Sequence, residues 1–215
     1  MTLVLHGYRY SVYNRIARLA LEEKGLAYRR VEVNPFDPDR PAAYLALHPF
    51  GRVPTLVQGD FVLYETGAIT RYVDRAFSGP ALQPADPKAL ARMDQIIGVV
   101  DSYAYWPLVR QVFAHDVFRP CLGNGGDQQE VAKGLDAAPR VLDALEGLAC
   151  DEAWLVGRSL SLADLHLGAM IAYFTLSSRG EALLSARRRL ASWWRKIGAR
   201  PSMAATAPGL PVTQA

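Results

Sequence analysis

Apolar residues recur along the first third of the chain with two different periods. Thr2–His6 is a short apolar run of strand character. Between residues 12 and 24, Ile16, Leu19 and Ala20 fall on one face of a helix, and Gly25 suits its stop. Tyr28–Val33, with Val31 and Val33 two apart, predicts a second strand, and a weak helical pattern follows over Ala42–Leu47. Pro54–Val57 and Phe61–Tyr64 flank Gln58-Gly59-Asp60, a hairpin signal. A helix carrying Ile69, Tyr72 and Val73 then runs to about Phe77. The order strand, helix, strand, helix, strand, strand, helix implies a mixed sheet, parallel first and antiparallel at one edge.

From Ser78 to Pro87 the pattern breaks. Three prolines (Pro80, Pro84, Pro87) and Gly79 in this stretch can continue neither helix nor strand. Beyond it strand signals vanish, and helices are predicted over about 87–118, 128–149, 162–177 and 187–198, with Pro107 expected to kink the first. Pro201–Ala215 is uncharged and rich in Ala and Pro, so a poorly ordered tail is expected. The predicted organisation is an α/β domain over 1–77, a linker over 78–87, an all-helical domain over 88–200 and a tail over 201–215.

Composition narrows the chemistry. The 215 residues are 50% hydrophobic and carry 24 basic against 21 acidic side chains. Residues 1–77 hold 10 basic and 8 acidic, leaving 14 and 13 for the rest, so neither part is a basic domain built to capture nucleic acid. Two cysteines, Cys121 and Cys150, are too few for a disulfide framework or a Cys₄ metal site. No His/Cys/Asp/Glu grouping has metal-ligand spacing, and no metal is expected. The longest uncharged apolar stretch, between Asp164 and Arg179, falls short of the ~20 residues a membrane span needs and is read as a buried core helix. The start has no basic leader before its short apolar run, and a cytoplasmic protein is expected.

Four segments carry a resemblance. Ser11 to Gly25 (Ser11-Val12-Tyr13-Asn14-Arg15-Ile16-Ala17-Arg18 and onward) resembles the first helix of cytosolic glutathione transferases. His48-Pro49-Phe50-Gly51-Arg52-Val53-Pro54-Thr55-Leu56 is similar to the segment leading into the family's cis-proline, and Glu65-Thr66-Gly67-Ala68-Ile69 to the motif at the start of its third helix. Ser161-Leu162-Ala163-Asp164 matches the capping box of its helical domain, a folding feature rather than a chemical one. The resemblance implies a thioredoxin-like N-terminal domain that binds glutathione as co-substrate. It also implies a helical-bundle C-terminal domain supplying most of the pocket for a small electrophile, and a homodimer.

It also implies roles for particular residues. Ser11, at the entry of the first predicted helix, resembles the thiolate-stabilising serine of the serine-type (phi, theta and zeta-like) classes; an N-cap role is the simpler reading, and Tyr8 and Asn14 are competing donors. A dithiol-exchange protein would carry Cys-x-x-Cys at this turn, where Ser11-Val12-Tyr13-Asn14 stands. Glu65 would accept from the γ-glutamyl ammonium and Thr66 would bind its carboxylate, with capping or solvation as the plainer roles. Val53, through a cis bond to Pro54, would present its backbone to the cysteinyl unit; Arg52 would meet the glycyl carboxylate, with His48 as the alternative or a plain surface histidine. Tyr10 and Tyr13 are candidate pocket walls, joined by Trp106, Arg110 and Phe113 along one face of the long predicted helix, where an aromatic stripe is also a usual core pattern. Arg187-Arg188-Arg189 with Trp193-Trp194-Arg195-Lys196 is read as a helix with Leu190, Trp193, Trp194 and Ile197 buried and arginines outside, not as a nucleic-acid patch. The expected function is attack of glutathione thiolate on an electrophilic carbon. Glutathione-dependent isomerase, peroxidase or dehalogenase chemistry, or a non-catalytic module, are the alternatives.

Overall fold

The computed structural model describes residues 2–39 and 42–211. The chain divides into two compact units, one built on the residues up to Ala81 together with Ala205–Pro208, the other on Leu82–Ala204.

In the first unit β1 (Leu3–Gly7), α1 (Val12–Glu23), β2 (Tyr28–Glu32), α2 (Ala42–Leu47), β3 (Thr55–Gln58), β4 (Phe61–Tyr64) and α3 (Thr66–Ala76) follow one another, matching the predicted order. The sheet runs β2-β1-β3-β4. β1 pairs β2 in parallel (Leu5 opposite Arg30), whereas β1–β3 and β3–β4 are antiparallel, with Leu56 opposite Leu5 on one side and Leu63 on the other. Period-two burial places Leu3 and Leu5 of β1 inside, against Ile16, Leu19 and Ala20 of α1 as predicted and Ile69 and Val73 of α3. Each of the Leu, Ile and Val side chains, fully buried, contributes roughly 1.5–3 kcal/mol. The buried Lys24 ammonium ends α1 by meeting Asp74 Oδ1 at 3.3 Å and the carbonyls of Asp74 and Pro80, each at 3.1 Å.

The expected loose tail is corrected by the same unit. Pro201–Ala205 is helical, and Thr206 and Pro208 are buried. Arg18, itself buried in α1, donates from Nη1 to Thr206 O (3.0 Å), from Nη2 to Ala205 O (2.9 Å) and from Nε to the Tyr28 hydroxyl (3.3 Å). Arg15 Nε reaches Thr206 Oγ1 at 3.5 Å and Arg9 Nε reaches Pro208 O at 3.0 Å. Uncharged residues are ordered here because three arginines far back in the chain find acceptors in them, Arg9 and Arg18 in backbone carbonyls and Arg15 in the Thr206 hydroxyl. Residues 212–215 of the expected tail lie outside the described residues.

The second unit is helical. Asp86 accepts from the amides of Lys88 and Ala89 (3.0 Å each) and starts α4 (Pro87–Val99), with Pro87 at the first turn where its missing N–H costs nothing. The helix continues from Val100 to Phe118 with the wider i→i+5 hydrogen-bond pattern. Pro107 lies inside this widened stretch: proline lacks the amide proton and crowds the carbonyl four residues back, and a wider turn relieves both. After the short α5 (Arg119–Cys121) come α6 (Gln128–Leu148), α7 (Leu162–Phe174), α8 (Ser178–Ser185), α9 (Arg188–Gly198) and α10 (Pro201–Ala205). α8 interrupts the helix expected through 177, because Ser177 Oγ accepts from Gly180 N at 3.3 Å and begins a new helix. α7 is buried on nearly every side and forms the unit's centre. On α9 Leu190, Trp193 and Ile197 are buried and Trp194 is half-buried. No helix among the described residues is long and apolar enough to cross a membrane.

Candidate functional site

Sheet register gathers the candidate residues of the first unit. His6 pairs with Thr55, and Thr55 pairs with Tyr64, so these three form one row across β1, β3 and β4. β1 leaves this row towards Gly7–Ser11, β3 enters it from Val53–Pro54, and β4 leaves it towards Glu65–Thr66. Three separate segments therefore emerge at the same end of the sheet.

The first is the β1–α1 turn. A Cβ on Gly7 would lie 2.0 Å from Asn14 Oδ1, so only glycine leaves room for that amide. Asn14 is buried, and its Nδ2 donates to Tyr8 O at 3.0 Å, an acceptor shared with Ser11 N at 3.0 Å. Its donor is thus directed into the turn, and its Oδ1 is buried without a hydrogen-bond partner. Ser11 is the N-cap of α1, its Oγ accepting from Asn14 N at a long 3.3 Å. That geometry leaves the hydroxyl proton to donate outward beside the positive end of α1. Tyr8 packs edge-on to Tyr10 (5.5 Å) and Phe36 (6.0 Å), and burial, with Tyr10 and Glu32 adding to it, holds its phenol above the ordinary value and protonated. Tyr10 also lies under the Arg9 guanidinium at 5.5 Å, and Tyr13 is half-buried on the first turn of α1.

The second segment, His48–Pro54, contains a cis peptide between Val53 and Pro54. The Tyr44 hydroxyl donates to Arg52 O at 2.5 Å and lies 3.1 Å from Thr55 Oγ1, fixing the loop while the Arg52 side chain points to solvent. His48 is not a surface residue: it is 2% exposed, its ring 4.7 Å from Tyr64 and flanked by Tyr44 and Phe50. Burial pushes its pKa down, against the pull of Glu65, and its Nδ1 is buried without a hydrogen-bond partner. The surface expectation failed because Tyr64, which lies closest to the His48 ring, comes from β4.

The third segment holds an unusual backbone. Glu65 has φ 72°, a left-handed conformation that costs a residue with a long side chain roughly 1–3 kcal/mol and is found where surroundings impose it. It occupies the N-cap of α3 and makes no side-chain cap bond. Thr66 is buried and already helical, so the capping expected of it is corrected: its position is one residue too late. The first-turn amides of α3 thus have no side-chain cap from Glu65 and are ready donors to a carboxylate, with the Glu65 carboxylate available to an ammonium.

The second unit's candidates separate. Trp106 is exposed, with the Arg110 guanidinium 5.9 Å over its ring. Phe113 is buried and stacked on Tyr173 at 4.7 Å, which corrects the expected common face. The widened helix turns through a smaller angle per residue, so positions seven apart no longer share a side. Cys121 and Cys150 are not joined in a disulfide. Sequence reasoning missed Tyr44, whose hydroxyl holds the loop, and the positive φ at Glu65, which no residue type announces.

Two family models match, the glutathione S-transferase N-terminal domain over residues 5–81 and the glutathione S-transferase C-terminal domain over residues 111–201. A glutathione S-transferase of Hyoscyamus muticus is 32% identical over 205 residues, covering 94% of this chain and 96% of its own. Among solved structures, glutathione S-transferase III in apo form superposes with a TM-score of 0.84 at 31% identity, each chain covered in full. Glutathione S-transferase-I bound with lactoylglutathione gives a TM-score of 0.83 at 28% identity, over 96% of this chain and 99% of that one. Similarity sustained from one end to the other, across a thioredoxin-like unit and a helical one, decides the assignment: the chain belongs to the cytosolic glutathione S-transferase family.

Proposed function

We propose that this transferase is of the serine type, phi-like in class, and that Ser11 stabilises the glutathione thiolate for attack on an electrophilic carbon of a small, largely apolar substrate. The observation that carries the reading is the shared row of His6, Thr55 and Tyr64, from which Ser11, Val53 and Glu65 all follow at one end of the sheet. Glutathione is an extended tripeptide with two carboxylates and one ammonium. The α3 first-turn amides and Thr66 receive the γ-glutamyl carboxylate, Glu65 its ammonium, the Val53 backbone the cysteinyl unit, and Arg52 the glycyl carboxylate. Buried His48 supports the Arg52–Pro54 loop rather than touching ligand. Tyr10 and Tyr13 in the first unit are the candidate electrophile contacts there, as Trp106 and Arg110 are in the second; Phe113 acts through packing.

A free thiol has a pKa of ~8.5, so little thiolate exists at neutral pH. A hydrogen bond to a charged acceptor is worth about 1.5–3 kcal/mol, which equals a pKa depression of about 1–2 units. Donation from Ser11 Oγ, reinforced by the α1 N-terminus, supplies a shift of that size. The thiol proton leaves to solvent, the C–S bond forms and, with an aryl chloride, the C–Cl bond breaks to release chloride.

The test is conjugation of glutathione to a chloronitrobenzene by the native chain and Ser11→Ala. The variant is expected to be roughly 10–100-fold slower at neutral pH, with its pH–rate midpoint about 1–2 units higher. Equal rates and equal midpoints would remove Ser11 from the mechanism. The family's habit also supports a cytoplasmic homodimer, to be tested by sedimentation of the purified chain.

A further inference from the structure

Asn14, on the first turn of α1, is polar, 3% exposed and only partly satisfied. Its side chain lies against Gly7, the last residue of β1: a Cβ there would stand 2.0 Å from Oδ1, 2.3 Å from Cγ and 2.8 Å from Nδ2. The amide therefore occupies the space that a side chain at position 7 would fill. Its orientation is decided by charge. The group 3.0 Å away is Tyr8 O, a carbonyl, which only the Nδ2 donor can face. Oδ1 is thereby turned aside and buried with no hydrogen-bond partner among the described residues. Leucine has nearly the same shape and would leave no orphaned acceptor, so packing alone favours an apolar residue at this position.

What the asparagine supplies instead is a hold on Ser11 from two sides. Tyr8 O accepts from Asn14 Nδ2 and from Ser11 N, both at 3.0 Å, so the side-chain amide fixes the carbonyl to which the Ser11 backbone is tied. From the other side Asn14 N donates to Ser11 Oγ at 3.3 Å, and Ser11 O accepts from Arg15 N at 3.0 Å. The Ser11 amide is thus engaged inside the turn, and one lone pair of its hydroxyl is engaged by Asn14. Among the described residues nothing accepts the hydroxyl proton. A hydroxyl rotates about its C–O bond, and holding one lone pair confines the proton to the directions that remain.

We propose that Asn14 is a positioning residue for the glutathione thiolate: its side-chain amide on Tyr8 O and its backbone amide on Ser11 Oγ aim the Ser11 hydroxyl proton at the sulfur. This rests on Ser11 as the donor to that sulfur. Asn14 itself does not touch the ligand, since its Nδ2 is engaged within the turn and its Oδ1 would repel a thiolate. A hydrogen bond to an anion weakens steeply as it leaves the line of donor and acceptor, so a hydroxyl free to swing gives up much of its stabilisation. The charges around the turn are the same in every variant below: Arg9, whose N–H meets Glu32 Oε1 at 2.7 Å, and Arg15, whose Nε reaches Thr206 Oγ1 at 3.5 Å. The phenols of Tyr8, Tyr10 and Tyr13, which flank the turn, are likewise unchanged.

The test titrates the thiol of bound glutathione by the ultraviolet absorbance of its thiolate, with saturation established by calorimetry for each chain. Asn14→Leu keeps the volume and removes the clamp on Tyr8 O. It is expected to raise the midpoint by about 0.5–1 unit, leaving roughly three- to tenfold less thiolate at neutral pH, while its urea midpoint stays close to native. Gly7→Ala leaves the amide intact but displaces it, and should raise the midpoint similarly; it decides the question if Asn14→Leu does not fold. Added to Ser11→Ala, Asn14→Leu should change nothing further, because the hydroxyl it aims is gone. A native midpoint in folded Asn14→Leu or Gly7→Ala, or a further rise in the Ser11→Ala/Asn14→Leu chain, would overturn the assignment. A shift in Ser11→Ala with none in Asn14→Leu removes Asn14 alone, whereas no shift in Ser11→Ala removes Ser11 and Asn14 together.

Discussion

Replacing Asp164 should unfold the helical unit more readily than any surface change, and the amount follows from its four partners. Its Oδ1 accepts from Leu155 N (2.9 Å) and Trp193 Nε1 (2.8 Å), and its Oδ2 from Ser161 N and Ser161 Oγ (2.7 Å each). The carboxylate thus ties the start of α7 to the preceding loop and to α9 in one buried atom group. In Asp164→Ala three buried N–H groups lose their acceptor, while the serine hydroxyl can turn elsewhere. At ~1–3 kcal/mol for each orphaned donor, the loss is at least about 3 and up to about 9 kcal/mol, against a total stability of ~5–15 kcal/mol. Asp164→Asn keeps the Oδ1 acceptor and sets an NH₂ against Ser161 N–H, so one donor is orphaned and the cost falls to about 1–3 kcal/mol. Urea unfolding, followed by both far-ultraviolet circular dichroism and tryptophan fluorescence, measures the two midpoints. Asp164→Ala within 1 kcal/mol of the native chain, or Asp164→Asn as costly as Asp164→Ala, would refute this account. Because Asp164 serves folding, the folded Asp164→Asn chain should conjugate glutathione at close to the native rate.

Arg18→Met removes the donors that hold Ala205 O and Thr206 O, and should lower stability by about 3 kcal/mol while opening the segment around Thr206 to thermolysin; unchanged digestion would show that the segment holds without it. His48 is buried in its neutral form with a lowered pKa, so the folded state binds a proton less readily than the unfolded one. Its contribution is present above the ordinary imidazole value of ~6.5 and is lost as pH falls through the lower folded value. His48→Phe keeps the ring packing on Tyr64 and should flatten the acid side of the urea-midpoint profile; His6, whose pKa burial also lowers, retains part of the slope. Identical profiles for the two chains would contradict the burial of a neutral imidazole.

Local pattern and long-range packing divide what was legible in the sequence. The boundaries of β1, α1, β3, β4 and α3 could be read closely, because in each the apolar period is set by one buried face and the stops by Gly25, Gly59 and the proline-rich segment. The candidate residues of the first unit could be named for the same reason: they stand at element ends, where the pattern changes. What escaped prediction depends on partners distant in the chain. Arg15 and Arg18 sit on the buried side of α1 among apolar residues, a placement that makes sense only with acceptors roughly 190 residues later. The tail looked disordered because its order resides in those arginines and not in its own composition. His48 looked exposed since the ring closest to it, Tyr64, comes from β4, sixteen residues later. The positive φ of Glu65 is imposed by β4 ending and α3 beginning within one residue, a constraint on backbone direction to which side-chain identity is indifferent. That constraint sets α3's first-turn amides and the Glu65 carboxylate side by side. Under the proposed function that placement suits a zwitterionic γ-glutamyl group, and Glu65→Ala should weaken glutathione binding by about tenfold in calorimetry while leaving the amides in place; unchanged affinity would remove Glu65 from the site.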